Sequence, residues 1–276
     1  MERVLDRVEK AAADLDEDNV HALRVALRRC RAMAEALSEV NPDSGWRKVR
    51  KSTRDLFHAL GDLRDTQVER GWVKKLAPTR DPVRMHMLRV LSRRERENRQ
   101  GATKELKQFD AKEWKKLARR LGRRWRLFPL ESIVFQRLAL AKLNEADGLF
   151  ARARRSRSGA AWHRARIGLK HFRYVGENFL PKRYAGWAGD VKRMQDLLGE
   201  VHDLDVLRSD LRRNAGRIDQ AALERFRERM SGERKTRLAE VGAKTTGSGS
   251  LLAAWRSSFH SLHPLLAAPV LKRRSA

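Results

Sequence analysis

V20HALRVALRRCRAMAEAL37 and W162HRARIGLKHFRYVGENF179 decide the reading of this chain, because they are one helix written twice. They align without a gap. His21 meets His163, Arg24 meets Arg166, Leu27 meets Leu169, Arg28 meets Lys170, Arg31 meets Arg173 and Glu35 meets Glu177. A second pair follows each of them, L56FHALGDLRDTQV68 and M194QDLLGEVHDLDV206, in which Gly61 meets Gly199, Asp62 meets Glu200 and Asp65 meets Asp203. Two motifs in the same order and at nearly the same spacing argue for duplication of a unit that fills most of each half. The boundary falls near 126–130, giving a first repeat over 1–127 and a second over 128–276.

Around these motifs apolar residues recur at i, i+3, i+4 and i+7 almost everywhere, and strand-like alternation is rare, so an all-α fold is expected. Glycine and proline are sparse, at 17 and 7, which suits long helices. Helices are expected before Leu15, over 19–40, 46–60, 66–76 and 82–109, and on to 127. The second half reads as helices over 131–155, 163–180, 185–198, 203–213, 219–241 and 251–266. Asn41-Pro42 and Ala77-Pro78 are stops, since proline disfavours helix at the residue before it. The SRSG run and TTGSGS at 245–250 are breaks.

At 100° per residue, His21, Arg24, Arg28 and Arg31 fall at about 0°, −60°, −20° and −80°, one stripe roughly 80° wide. Leu23, Leu27, Cys30, Ala34 and Leu37 lie on another side, so the helix has an apolar seam and a separate cationic stripe. The second copy repeats the stripe as His163, Arg166, Lys170 and Arg173. A solvated face is the plainer alternative, but it needs charge of any identity, whereas here His recurs as His and Arg as Arg. No acid stands between His21 and Arg31 or between His163 and Arg173, so these cations read as unpaired and awaiting an external anion. Guanidinium forks suit phosphate, each charged hydrogen bond contributing roughly 1.5–3 kcal/mol. A nearby phosphate favours protonated histidine, so binding is expected to tighten at mildly acidic pH. Arg64 and His202 occupy matching places just before the next expected helix, where Asp65 and Asp203 fit as N-caps and Gly61 and Gly199 as turn residues.

The whole chain carries 62 basic and 35 acidic residues, a net charge of +27 that self-repels and calls for an anionic partner. Cys30 is the single cysteine, which rules out an intramolecular disulfide and a thiolate metal cluster and is compatible with a reducing compartment. The N-terminus lacks an apolar core of signal-peptide length, and the most apolar stretch, 133–143, is interrupted by Gln136, Arg137 and Lys142. No membrane span is expected.

These four segments resemble the conserved histidine α-helical domain (CHAD) family, whose hallmark is a His-x-x-Arg-Val helix with further Arg followed by a Leu-Gly-x-x-Arg/Asn-Asp segment, given twice. The resemblance covers essentially the whole chain. It implies two four-helix-bundle-like halves related by a pseudo-twofold repeat, a basic central channel, binding of inorganic polyphosphate and no catalysis. Carried onto this sequence, it makes His21, Arg24, Arg28, Arg31, His163, Arg166, Lys170 and Arg173 the polyphosphate-binding residues, with Arg54, Arg64 and Lys192 as weaker additions. His202 departs from the family's usual Asn. No catalytic residue, metal or cofactor is expected, and the protein is expected in the cytoplasm, associated with polyphosphate granules, as a receptor without a triphosphate-processing partner domain.

Two other readings compete. Nucleic-acid binding fits the charge, but recognition of single strands usually needs aromatic platforms among the cations, and the first stripe has none; Trp162, Phe172 and Tyr174 beside the second read better as core. A metal-dependent HD-type phosphohydrolase would use His202-Asp203, but the aligned copy has Arg64-Asp65, which cannot ligate through its arginine. The basic runs at 93–99, 119–126, 152–157 and 272–274 read as solvated faces, and His260 with His263 lacks the partners a zinc site needs.

Overall fold

The structure is a computed structural model that describes residues 1–40, 44–125, 129–156, 158–216, 218–247 and 249–259. Every regular element among them is an α-helix: α1 (Glu2–Ala13), α2 (Glu17–Val40), α3 (Ser44–Ser52), α4 (Arg54–Leu76), α5 (Pro82–Gln108), α6 (Ala111–Trp125), α7 (Ile133–Ser156), α8 (Gly159–Phe179), α9 (Pro181–Ala185), α10 (Ala188–Asn214), α11 (Gln220–Thr245) and α12 (Leu251–Ser257). The stops after Leu76, at Ser156 and after Thr245 fall where proline, serine and glycine put them. Asn41-Pro42, the 272–274 run, His260 and His263 lie outside the described residues.

Two sequence expectations fail together. The expected breaks at Gly61 and Gly199 do not occur, because α4 and α10 run unbroken through both motifs. Neither glycine has the positive φ of a turn. Asp65 and Asp203 are therefore mid-helix residues and not N-caps, and the real break in that region comes earlier, at Thr53 between α3 and α4. A mid-helix glycine costs about 1 kcal/mol relative to alanine, which interior packing readily offsets.

Two compact units are present, Met1–Pro129 with Leu197–Leu238, and Leu130–Asp196 with Ala239–Ala276. In the first, α4 and α5 form an antiparallel pair. Asn98 donates to the Asp62 carbonyl and to Thr66, Arg70 pairs with Glu95, and Arg84 donates to the carbonyls of Lys74 and Ala77. Asp81 starts α5 as its N-cap, accepting from the backbone of Val83 at 2.9 Å and Arg84 at 3.2 Å, with Pro82 in the first turn. Trp72, Val73 and Leu76 pack with Val83, Met87 and Leu91, and against Leu204, Leu207, Leu211, Phe226 and Met230. The stripe helix α2 lies antiparallel to α4, with Glu17 near Arg64, Arg24 against Gly61, and Arg31 near Thr53. On its other side the apolar seam of α2 faces a cavity of about 980 Å³ walled by Leu5, Cys30, Leu37, Trp46, Val49 and Leu121.

The second unit is built on the antiparallel pair α7 and α8. Phe150 meets Trp162 at one end, and Phe135 stacks on Phe179 with ring centres 4.1 Å apart at the other. Between them Gly168 brings the helices so close that a Cβ there would stand 3.2 Å from the Ala146 Cα. Phe172 is fully buried and packs on Trp187 and Trp255. Trp162 and Phe172 are thus core residues, as expected from their helical positions.

Candidate anion-binding site

On α2 the stripe residues share one side but not one environment. His21 is exposed, Arg28 and Arg31 are half-buried, and the Arg24 side chain is only 18% exposed. Burial works first against the charge of Arg24, with Arg28 and Arg64 adding repulsion and Asp65 opposing them. Burial, then Arg50, likewise depresses Arg31. Although His21 is exposed overall, partial desolvation of its ring and then the cations Arg64, Arg28 and Arg24 lower its pKa below the ordinary 6.5. His163 on α8 is lowered in the same way, by burial and then by Arg166, Lys170 and Arg164. The cations that contribute to both shifts make each histidine's surroundings positive.

The expectation of unpaired cations is corrected, by partners on neighbouring helices and, for some, on the same helix. Arg24 Nη2 lies 4.0 Å from Asp65, and Arg64 lies 3.4 Å from Glu17 and within hydrogen-bond reach of Gln67. Arg31 donates to the Arg50 carbonyl at 2.5 Å and to Thr53 at 3.2 Å. In the second copy Arg173 pairs with Glu177 at 3.2 Å and donates to Gln195 at 2.8 Å. The weaker candidates Arg54 and Lys192 are exposed, and each pairs with a near neighbour, Asp55 at 3.1 Å and Asp196 at 2.7 Å. Arg28 has no acidic partner among the described residues.

The structure brings His21, Arg24 and Arg28 together with Arg64 on the facing surfaces of α2 and α4, with Arg31 further along α2 beside Arg50 and Thr53, within the first unit. His163, Arg166 and Lys170 form a corresponding cluster on α8, with Arg173 one turn further, within the second. Each cluster concentrates several donors on one side of its helix, an arrangement suited to an anion that carries several negative groups in a row.

The family model for the CHAD domain matches residues 1–212. The chain belongs to the CHAD domain family. A similar solved structure is the crystal structure of the CHAD domain from the plant Ricinus communis, with a TM-score of 0.56 and 23% identity, over 93% of this chain and 86% of that one. That likeness makes the fold the all-α fold of a CHAD domain. No curated protein matches the sequence.

Sequence periodicity missed Phe57. Its ring lies 5.4 Å from the Arg24 guanidinium carbon and 5.0 Å from that of Arg31, so one aromatic side chain serves two stripe arginines of this CHAD domain. Arg24 Nη1 is buried without a hydrogen-bond partner and lies against Gly61, where a Cβ would come within 2.7 Å of it. Phe57 and Gly61 are four apart on α4 and so share a face. The available signal was the repeat itself, in which Phe57 aligns with Gln195, the residue that holds Arg173.

A second buried cluster in the first unit carries titratable chemistry. Glu69 on α4 and Asp210 on α10 are both buried, and Arg94 on α5 bridges them at 3.6 Å and 2.7 Å. Burial and the adjacent Asp210 push the Glu69 carboxyl up to about 8, so it keeps its proton at pH 7. Burial opposes ionisation of Asp210, but hydrogen bonds from Arg94 and Arg213 hold it below the usual carboxylate range. His202 and Asp203 lie half-buried in mid-α10. No group of three or more histidine, cysteine or acidic side chains arranged to hold a metal occurs among the described residues. Nor is any described helix long and apolar enough to cross a membrane.

Proposed function

We propose that the chain is a non-catalytic receptor that binds inorganic polyphosphate through His21, Arg24, Arg28 and Arg31 with Arg64, and through His163, Arg166, Lys170 and Arg173, in the cytoplasm at polyphosphate granules. Its family is associated with polyphosphate binding. The observation that carries the reading is the clustering of the repeated cations: desolvation and then the neighbouring cations depress the histidine of each cluster, and a phosphate bound at a cluster would offset that repulsion there. A chain with one negative charge on every phosphate gains an increment at each guanidinium it passes. Arg54 and Lys192, exposed and already paired, contribute long-range attraction more than direct contact.

Polyphosphate titrations at several salt concentrations test this, because the slope of log affinity against log salt counts the charges neutralised. A steep negative slope is expected. Arg24→Ala with Arg166→Ala should weaken binding at least tenfold more than Arg96→Ala with Arg152→Ala, an exposed pair that removes equal charge. Equal losses would mean diffuse attraction. A short duplex or RNA that displaces polyphosphate at equal phosphate concentration would instead favour a nucleic-acid partner, and metal-dependent phosphate release lost on Asp203→Ala would favour hydrolysis.

A further inference from the structure

The two copies hold the same arginine by different chemistry. At the position where α10 carries Gln195, whose oxygen accepts from Arg173, α4 carries Phe57, whose ring lies against both Arg31 and Arg24. A ring face attracts a guanidinium group without occupying any of its N–H donors, whereas a side-chain amide takes one of them; Arg31 still spends Nη1 on the Arg50 carbonyl and Thr53, so the difference matters most for Arg24. One turn beyond Phe57, Gly61 leaves bare helix backbone, and the end of Arg24 fills the space a methyl group would need. Gly61 has neither a turn nor a positive φ to account for it.

Granting the anion-binding reading above, on which this step rests, we propose that Phe57 and Gly61 are positioning residues: α4 gives the Arg24 and Arg31 guanidinium groups a ring and an open stretch of backbone to lie on, and thereby fixes where they meet phosphate. The geometry separates stability from binding in an unusual way. A methyl at position 61 would collide only with the far end of a flexible side chain, so the helix can stay and the Arg24 head must leave. Alanine is also the better helix former.

Gly61→Ala is therefore expected to keep or raise Tm while weakening polyphosphate binding about tenfold. In an Arg24→Ala background the same change should have no further effect, since the two act through one group. Phe57→Leu should lose affinity with an unchanged salt slope, and Phe57→Tyr should retain it. Gly199→Ala, where a Cβ meets nothing within 4 Å, is the control expected to leave binding as it is. The proposal is overturned if Gly61→Ala binds like the wild type, or if its loss persists when Arg24 is already alanine. A wild-type protein that does not bind polyphosphate removes the anion-binding reading itself and this step with it, an outcome distinct from variants that match a binding wild type.

Discussion

His21 and His163 are depressed by burial and by neighbouring cations, so the free protein resists protonating them near neutrality. A bound phosphate reverses that bias and raises both pKa values. Binding then takes up protons: affinity is greatest below the lowered pKa of the free histidines and declines as pH rises through the higher pKa of the complex. Affinity measured from pH 5 to 8 should fall with rising pH, and His21→Asn with His163→Asn should flatten the profile; a wild-type profile already flat would remove the histidines from the site. Glu69 works in the opposite compartment of the same chemistry. Its folded pKa of about 8 exceeds the ordinary 4.5, so between those values the folded chain keeps a proton that the unfolded chain has lost, and stability declines as pH rises. Glu69→Gln, which can donate to Asp210 as the protonated acid does, should abolish that decline and stabilise the protein at pH 8 by on the order of a few kcal/mol in chemical denaturation. At this scale the stripe was legible, because helical periodicity reports which residues share a face. Its partners were not. Asp65, Glu17 and Phe57 reach Arg24, Arg64 and Arg31 across a helix interface, and a pattern read along one helix carries no information about the surface packed on it.

Helix ends were legible wherever a side chain supplies the stop. Pro78 after Leu76, Ser158 accepting from the Ala161 backbone at 3.1 Å, and the glycine-serine run after Thr245 all terminate or start helices as local chemistry requires. Gly61 and Gly199 misled for the converse reason. Glycine permits a turn without requiring one, and α4 and α10 use it inside a helix, at Gly61 to admit a guanidinium group. The same distinction singles out Asp81. It caps α5 with two backbone bonds and also accepts from Arg229 of α11 at 3.0 Å, tying two helices of the first unit at one carboxylate. Asp81→Ala should destabilise by about 1–3 kcal/mol, more than loss of a cap alone, because it also orphans a guanidinium. Asp81→Asn should recover the cap portion, and equal Tm values for the two variants would reduce Asp81 to its charge.

The duplication that dominates the sequence does not map onto the packing. Leu197–Leu238, second-repeat sequence, packs into the first unit, where Leu204, Leu207, Leu211 and Phe226 complete the core begun by α4 and α5. Repeats are read from identity at fixed spacing, and identity does not say which apolar faces meet. One feature of the first unit turns this into something measurable. Cys30 is the sole thiol, buried on the wall of the α2 cavity, and burial pushes its pKa up, so it reacts slowly with disulfide reagents in the folded chain. The chain thus carries a built-in stopwatch: with no other sulfhydryl to confuse the signal, the labelling rate times the opening of the first unit alone, and an anion that clamps α2 onto α4 should slow the clock without touching it.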